Sequence, residues 1–558
     1  MKSHTHILLT FLLLQLLAAV PLTAQRIFYS EPDRDDSRNI QFEILGKYNN
    51  NYLVYKNYRN RHYISIYTAE MKQKDKVLLD FIPERVSSVD VFSNPENVVV
   101  IYQYSRKNTV YCMGVRIDGN GKTIGEPVQL DTTQLNAGSD SKIYTALASD
   151  DRQKFMVFKM RNRYRDEFQF QTLLLSNNLL PIRKAAFTYQ IENNKDAIAD
   201  FYLDNEGNFL FTHVMRQGQK EYISRARLCV LRTYEDSVKV YPLRLTSYQR
   251  SVVRTDGRGT APTTVTVNIE AEEKAMQNGE TFGLFLDELR IKVDNTNGRY
   301  ILASFYSKSR RGNIDGLFLA VVNKDLETPD IERVFEFDED LRKAARGESR
   351  GSVALNDFYI KHFIVKRDGG VLMTAESAYS SSQGNNFNRW DNPWLWGQPW
   401  GGGFWGWNSP WMWNSPWGWG SPWMWNTPWG WNSFGGRQQV RYYADNIIVL
   451  SFDKDAMLDW TSIVAKQQFD DNSDILLSYQ IMNSGAELLF LYNEWNRRNP
   501  LLSAQSLDPT GKVKREQPLR SLDRGYQFMI RFGKQVSARE MLVPVVYRNT
   551  YCFARIEF

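Results

Sequence analysis

The polar and apolar positions of this chain repeat one pattern. An apolar run of five to eight residues leads into a short polar turn rich in Arg and Asn, and a second apolar run follows at once. Seven copies read NYLVYKNYRNRHYISIY, VVVIYQYSRKNTVYCMGVRI, KFMVFKMRNRYRDEFQFQTLLL, NFLFTHVMRQGQKEYISRARLCV, YILASFYSKSRRGNIDGLFLAVV, ELLFLYNEWNRRNPLLSAQSL and MLVPVVYRNTYCFARIEF. An eighth, VLMTAESAYSS followed by RYYADNIIVLSF, carries a long insertion at its turn. A strand-like run precedes each hairpin (IQFEILGKY, SSVDVF, DAIADFYLD, FYIKHFIV and YQFMIRF are examples), and another usually follows, such as KVLLDF, EPVQL, VKVYPLRL or ERVFEF. Each unit therefore predicts four strands. Runs such as VVVIY and LLFLY are apolar on both faces, which predicts burial on both sides.

Four-stranded antiparallel units stacked so that both faces are covered are the blades of a propeller. The chain resembles the β-propeller superfold over nearly all of its length after residue 24. The resemblance implies an all-β fold of about eight four-stranded blades, seven being the alternative count. It stops at the superfold. The WD-repeat signature is absent (Trp390-Asp391 lies in low-complexity sequence), as are the kelch double glycine and the sialidase Asp box. The last unit ends at its third strand, YCFARIEF, and residues 26–30 supply a lone strand, RIFYS. Pairing of these N- and C-terminal strands would close the ring and remove a sheet edge. The competing all-β fold is an outer-membrane barrel, since the chain ends in Phe558 after alternating residues. Barrel strands alternate apolar-out and polar-in, and the doubly apolar runs do not.

Composition changes this picture little. Hydrophobic residues make up 42% of 558 and charged residues 24%, a globular balance. The N-terminus adds a compartment. Lys2 precedes an apolar run at 7–20, and Leu22-Thr23-Ala24 offers a cleavage site, the pattern of a secretory signal peptide too short to span a bilayer. No Cys follows the cut, so lipid anchoring there is not expected. The expectation is an exported protein of the periplasm, outer-membrane surface or medium, without a transmembrane helix after cleavage. Its domains would be a signal peptide at 1–24 and a propeller at 25–558. An inserted loop at 246–282, with some helix or strand of its own, and a Trp/Pro/Gly-rich insertion at 391–436 would interrupt the propeller. DEDLRKAARG at 338–347 predicts a short exposed helix. Cys112, Cys229 and Cys552 each lie in apolar strand-like segments and suit small core positions.

No motif identifies a reaction. GNGKT at 119–123 lacks the first glycine of a phosphate loop, its place being taken by Arg116. No G-x-S-x-G is present. His62, His213 and His362 fall in different units with no zinc-like spacing. The clusters Asp33-Arg34-Asp35-Asp36 and Asp470-Asp471-Asn472-Ser473-Asp474 match no full calcium loop and read as solvated turns. No catalytic residue, metal or cofactor is assigned. Carboxylates for glycan chemistry would come from distant loops at the central channel.

Two features rise above this background. The hairpin turns carry Lys56, Arg59, Arg61, Arg106, Lys107, Arg161, Arg163, Arg165, Arg216, Lys220, Lys308, Arg310, Arg311, Arg497, Arg498 and Arg548. In a propeller these turns emerge on one face, so the cations would ring one side and attract anionic matter. Arg and Asn are also ordinary polar turn residues, and that reading stays open. The insertion repeats Pro-Trp-x-Trp-(Asn/Gly)-(Ser/Thr), with Trp394, Trp396, Trp400, Trp405, Trp407, Trp411, Trp413, Trp417, Trp419, Trp423, Trp425, Trp429 and Trp431. Its Pro and Gly forbid a regular helix, and paired indoles suit interfaces, sugar rings or polymer surfaces. The alternative is an idle low-complexity loop. Together these features suggest a non-enzymatic binding or assembly platform of the cell envelope. Its partner would be an envelope protein, a polysaccharide or an anionic membrane surface, with self-association through the Trp arm possible and nucleic acid not expected. The alternative is a carbohydrate-binding or glycan-processing propeller.

Overall fold

The computed structural model describes residues 26–558 apart from 33–39, 136–141, 165, 193–195, 217–221, 246–248, 254–262, 266–283, 326–328, 348–353, 383–384, 388–439, 472–473, 497–498, 517, 519–524 and 549. Its strands form eight four-stranded antiparallel meanders: 41–78, 88–134, 145–190, 196–242, 290–337, 358–464, 479–515 and 534–557 with 26–29. These are blades 1 to 8 of a β-propeller. The two-residue strand Phe285–Leu286 bridges blades 4 and 5 into one ladder.

The doubly apolar runs are second strands held between two neighbours. Along Val98–Arg106, Val98 and Val100 pack with Leu53 and Tyr55 of blade 1, while Val99 and Ile101 pack with Phe155 and Val157 of blade 3. The period of two sends alternate side chains to opposite blades, and each buried Val or Ile contributes roughly 1.5–3 kcal/mol. The N-terminal strand Arg26–Tyr29 is the outer strand of blade 8, in register from Arg26↔Glu557 to Tyr29↔Ala554. Blades 8 and 1 share a core in which Phe42, Val54 and Tyr67 meet Leu542, Val546 and Phe553.

The structure decides between the two all-β folds, and it departs from the sequence reading at the inner strand of blade 8 and at one helix. The strands make separate radial ladders rather than one continuous wall, so the barrel alternative is set aside. The inner strand of blade 8 is Lys534–Ser537, not YQFMIRF. Tyr526–Phe528 pairs with the same second strand, and Ile530–Phe532 is a 3-10 turn. The helix Glu339–Arg346 is not simply exposed. Asp338 caps it by accepting from the Leu341 amide at 2.8 Å, and Leu341 and Ala345 are buried. Residues 249–253 of the expected loop form a strand that pairs parallel to the outer strand of blade 5. All three cysteines are free and buried. No helix among the described residues is long and apolar enough to cross a membrane.

Candidate functional site

A meander places its 1–2 and 3–4 turns at one end and its 2–3 turns at the other. The two faces of the disc differ in how those turns are built. On the 1–2 face several turns start with Asp, which accepts from the backbone two to four residues on. Asp118 accepts from the Asn120 and Lys122 amides at 2.9 and 2.8 Å. Asp204, Asp453 and Asp508 repeat the device.

Hydrogen bonds on this side also join every neighbouring pair of blades. The Tyr48 hydroxyl donates to Asn94 O at 2.7 Å, and Arg116 donates to Asn178 at 2.6 Å. The Asp151 amide donates to Asn205, and the Asn205 amide to Asn295, at 3.1 and 3.0 Å. Arg299 donates to Gly369 O at 2.5 Å, Trp460 to Pro509 O at 3.1 Å and Gln535 to Asn483 O at 2.8 Å. Lys47 and Glu540 complete the circuit between blades 1 and 8 at 2.8 Å.

The 2–3 face carries the hairpin-turn cations, although Lys122, Arg367, Lys512 and Arg539 are also exposed on the 1–2 face with no ion pair to a described residue. Arg59, Arg61, Arg106, Lys107, Arg161, Lys308, Arg310, Arg311 and Arg548 are exposed. Arg59, Arg61, Arg106, Lys107, Arg161 and Arg310 form no ion pair with any described residue. Lys308 is tied to Glu336 at 2.5 Å. Arg59, Lys107 and Arg548 stand in turns with φ of 50°, 55° and 55°. That left-handed conformation suits Gly or Asn and costs a side chain of this size about 1–2 kcal/mol. Lys56 does not belong to this face. It is 1% exposed, with its ammonium 5.6 Å from the Tyr67 ring and 5.3 Å from the Phe553 ring. Strand alternation turns it inward, between blades 1 and 8.

Arg163, Arg165, Lys220, Arg497 and Arg498 lie outside the residues whose side chains are described, as does the Arg216 side chain. The thirteen tryptophans of the arm also lie outside, in 388–439. The strands that lead to and from that segment, Val371–Ser382 and Val440–Phe452, are the second and third of blade 6. The acidic stretch at 470–474 is partly described. Asp471 pairs with Arg441 at 2.7 Å and Asp474 with Arg531 at 3.1 Å.

Sequence reasoning missed a third region, the inner strands. Several carry a charge directly after an apolar residue: Glu43 after Phe42, Asp90 after Val89, Asp200 after Ala199 and Lys361 after Ile360. That recurrence was the available signal. Burial pushes the Glu43 carboxyl up to about 7, opposed by Lys534, whose ammonium burial pushes down to about 8. Lys534 donates to Ile44 O, Leu45 O and Ser93 at 3.1–3.3 Å. Asp200 is the most unusual of the set. It sits in a bulge, where the register shifts between Ala199 and Tyr202, with φ 50°. It is 5% exposed, and its Oδ2 has no hydrogen-bond partner among the described residues. Burial, reinforced by the charge of Glu288 and opposed by Arg290, holds its carboxyl well above the usual range. Glu288 itself is bound to Arg290 at 2.6 Å. Among the described residues no group of His, Cys, Asp or Glu is gathered to hold a metal.

Neither a family model nor a curated protein matches the chain. Solved structures similar to it include prolyl oligopeptidase B of Galerina marginata, with 8% identity over 92% of this chain and 57% of that one and a TM-score of 0.37. The chain thus spans little more than half the length of that peptidase. The Nup133 β-propeller domain of Vanderwaltozyma polyspora is similar at 9% identity, 84% and 99% coverage and a TM-score of 0.33. The cobalt-substituted ACO of Synechocystis is similar at 8% identity, 96% and 94% coverage and a TM-score of 0.31. These proteins differ in what they do, and none lends this chain an activity.

Proposed function

We propose that the protein is a binding platform of the cell envelope whose 2–3 face docks on anionic polymer or surface. The observation that carries this reading is the set of exposed cations without ion pairs, two of them held in strained turns. Asn or Gly would hold this φ with less strain, although Met71, Arg152, Leu179 and Ala456 also hold it in turns of the 1–2 face. Exposed cations of one sign raise the local concentration of anions and speed their capture. The Trp-rich arm belongs to the same reading as an adhesive extension from blade 6. Charge reversal at Arg59, Arg106, Lys107 and Arg310 should abolish retention on immobilised polyanion while the stability measured in urea stays within about 0.5 kcal/mol of wild type. Unchanged retention would remove the proposal.

A second reading, a glycan-processing propeller, is favoured by one observation. The Asp200 carboxyl, pushed up by burial, lies close enough to feel the charge of Glu288, and Glu288 is bound to Arg290 at 2.6 Å. Two carboxyls in unlike environments are the arrangement from which paired acid and base roles arise. If this reading holds, Asp200→Asn abolishes hydrolysis of a glycan that the wild type cleaves. Cleavage undiminished in the variant, or absent from the wild type across acidic and neutral glycans, leaves the platform alone.

A further inference from the structure

Blades 8, 1 and 2 are consecutive, and on their 2–3 face each cationic turn is accompanied by tyrosine. Tyr58 precedes Arg59, whose guanidinium lies 5.1 Å from its ring. Tyr104 and Tyr111 are cross-strand partners that flank the Arg106-Lys107 turn, stacked at 5.3 Å and 14°. Tyr547 is stacked on Tyr526 at 4.4 Å, Tyr526 on Tyr29 at 4.2 Å, and the Arg548 guanidinium lies 5.2 Å from the Tyr547 ring. All of these rings are partly exposed. The hydroxyls of Tyr58, Tyr104, Tyr111 and Tyr547 bond to no described residue and are not buried.

We infer that this three-blade sector is a recognition site for an acidic polysaccharide, with the free tyrosine hydroxyls bonding sugar hydroxyls and Arg59, Arg61, Arg106 and Lys107 bonding the acid groups. The inference rests on the proposed anionic docking face and names its ligand class. The geometry argues against other polyanions. Single-stranded nucleic acid is held by bases stacked on open ring faces. Here the ring faces are occupied by one another or by guanidinium groups, so edges and hydroxyls are what remain. A bilayer is gripped by aliphatic and aromatic side chains inserted below the headgroups. Of the exposed large apolar side chains, Leu78, Ile124, Val128, Ile182 and Val240 lie on outer strands, Leu180 and Tyr234 on the opposite face, and Phe469 at the 2–3 end of blade 6, outside the three-blade sector. Sugar polymers offer dense hydroxyls with regularly spaced carboxylates, which matches hydroxyl edges interleaved with cations.

The test uses the whole chain and two probes, polygalacturonate and inorganic polyphosphate, with single-stranded DNA as a third. The variant Tyr58→Phe/Tyr104→Phe/Tyr547→Phe keeps every ring stack and removes only hydroxyls, so its folding is safeguarded. Loss of three hydrogen bonds should weaken polygalacturonate binding about tenfold or more, with polyphosphate binding changed less than about twofold. If the variant binds polygalacturonate as the wild type does, the inference is wrong and the docking face stands. The inference is equally overturned, with the docking face intact, if the wild type binds polyphosphate or DNA but not polygalacturonate. If the wild type binds none of the three, the docking face itself falls and the inference with it.

Discussion

The two faces of the disc arise from the same hairpins and differ in turn chemistry. On the 1–2 face, Asp side chains satisfy the backbone of their own turns, and Asn, Arg and Trp bond across each seam. These polar groups have local tasks, and the result is a stitched rim. On the 2–3 face, Arg59, Arg61, Arg106 and Lys107 have no ionic partner among the described residues, and two of them occupy a conformation that costs stability. Seams are bonded toward the 2–3 face as well, as where the Tyr222 hydroxyl donates to Gly312 O at 3.1 Å and Lys159 pairs with Asp131 at 2.7 Å, but these bonds leave Arg59, Arg61, Arg106 and Lys107 without an ion pair to any described residue.

The largest effect is expected at the stitched face. Arg299 spans blades 5 and 6. It bonds Asp294 at 3.0 Å, Lys454 O at 2.8 Å and Gly369 O at 2.5 Å, and Asp294 is 1% exposed. Arg299→Ala would leave a buried carboxylate without its main counter-charge, a loss of about 3–5 kcal/mol. Urea denaturation should record that loss, with polyanion binding by the remaining folded protein unchanged. A fall in affinity at full folding would mean that the faces are not independent.

A smaller effect belongs to the other face. His62 follows Arg61 but is turned inward, where its Nδ1 shares a hydrogen bond with the Tyr55 hydroxyl at 2.6 Å. Burial pushes its pKa from 6.5 down to about 4. Above pH 6.5 folded and unfolded states both hold it neutral, and its contribution is complete. As pH falls from 6.5 toward 4 the unfolded state takes the proton first, and stability drops by roughly 3 kcal/mol. Glu43, raised to about 7, acts in the opposite sense over this range, but that contribution is common to wild type and variant. The stability difference between wild type and His62→Gln should therefore be flat above pH 6.5 and move in favour of the variant below it. A difference that stays constant down to pH 4.5 would contradict the burial of a neutral imidazole.

The eight hairpins were legible because second and third strands are buried on both faces, which writes continuous apolar runs into the sequence. The N-terminal strand was legible from a missing fourth strand in the last unit. Lys534–Ser537 was not, because KQVS is short and polar and the apolar YQFMIRF nearby reads more like a strand. Lys56 was misplaced by proximity. Two residues from a turn, only strand parity decides between surface and seam, and its ammonium is covered by Tyr67 and Phe553. The channel charges escaped notice because each is a single residue in its own strand, and only the ring brings Glu43, Lys534 and Arg152 into one field. The cations themselves were legible. That six of them form no ion pair with a described residue, and that Arg59, Lys107 and Arg548 hold positive φ, were not, since both are properties of the folded chain.

On the proposed reading, the cations of the 2–3 face are kept for a partner at some cost to the fold. Replacing Arg59, Lys107 and Arg548 together with Gly separates the two terms. Gly adopts φ near 50° without strain but is looser when unfolded, so each change should stabilise the protein by a few tenths of a kcal/mol. The same variant should bind polyanion more weakly at low salt and with a shallower dependence on salt, because exposed charges are screened over about 10 Å at 0.1 M. The decisive measurement is a salt titration of polyanion binding by wild type and triple variant, with urea midpoints taken on the same samples. A more stable protein that binds less is the predicted result. A less stable protein that binds as before would show the cations to be parts of the fold and would contradict a role in docking.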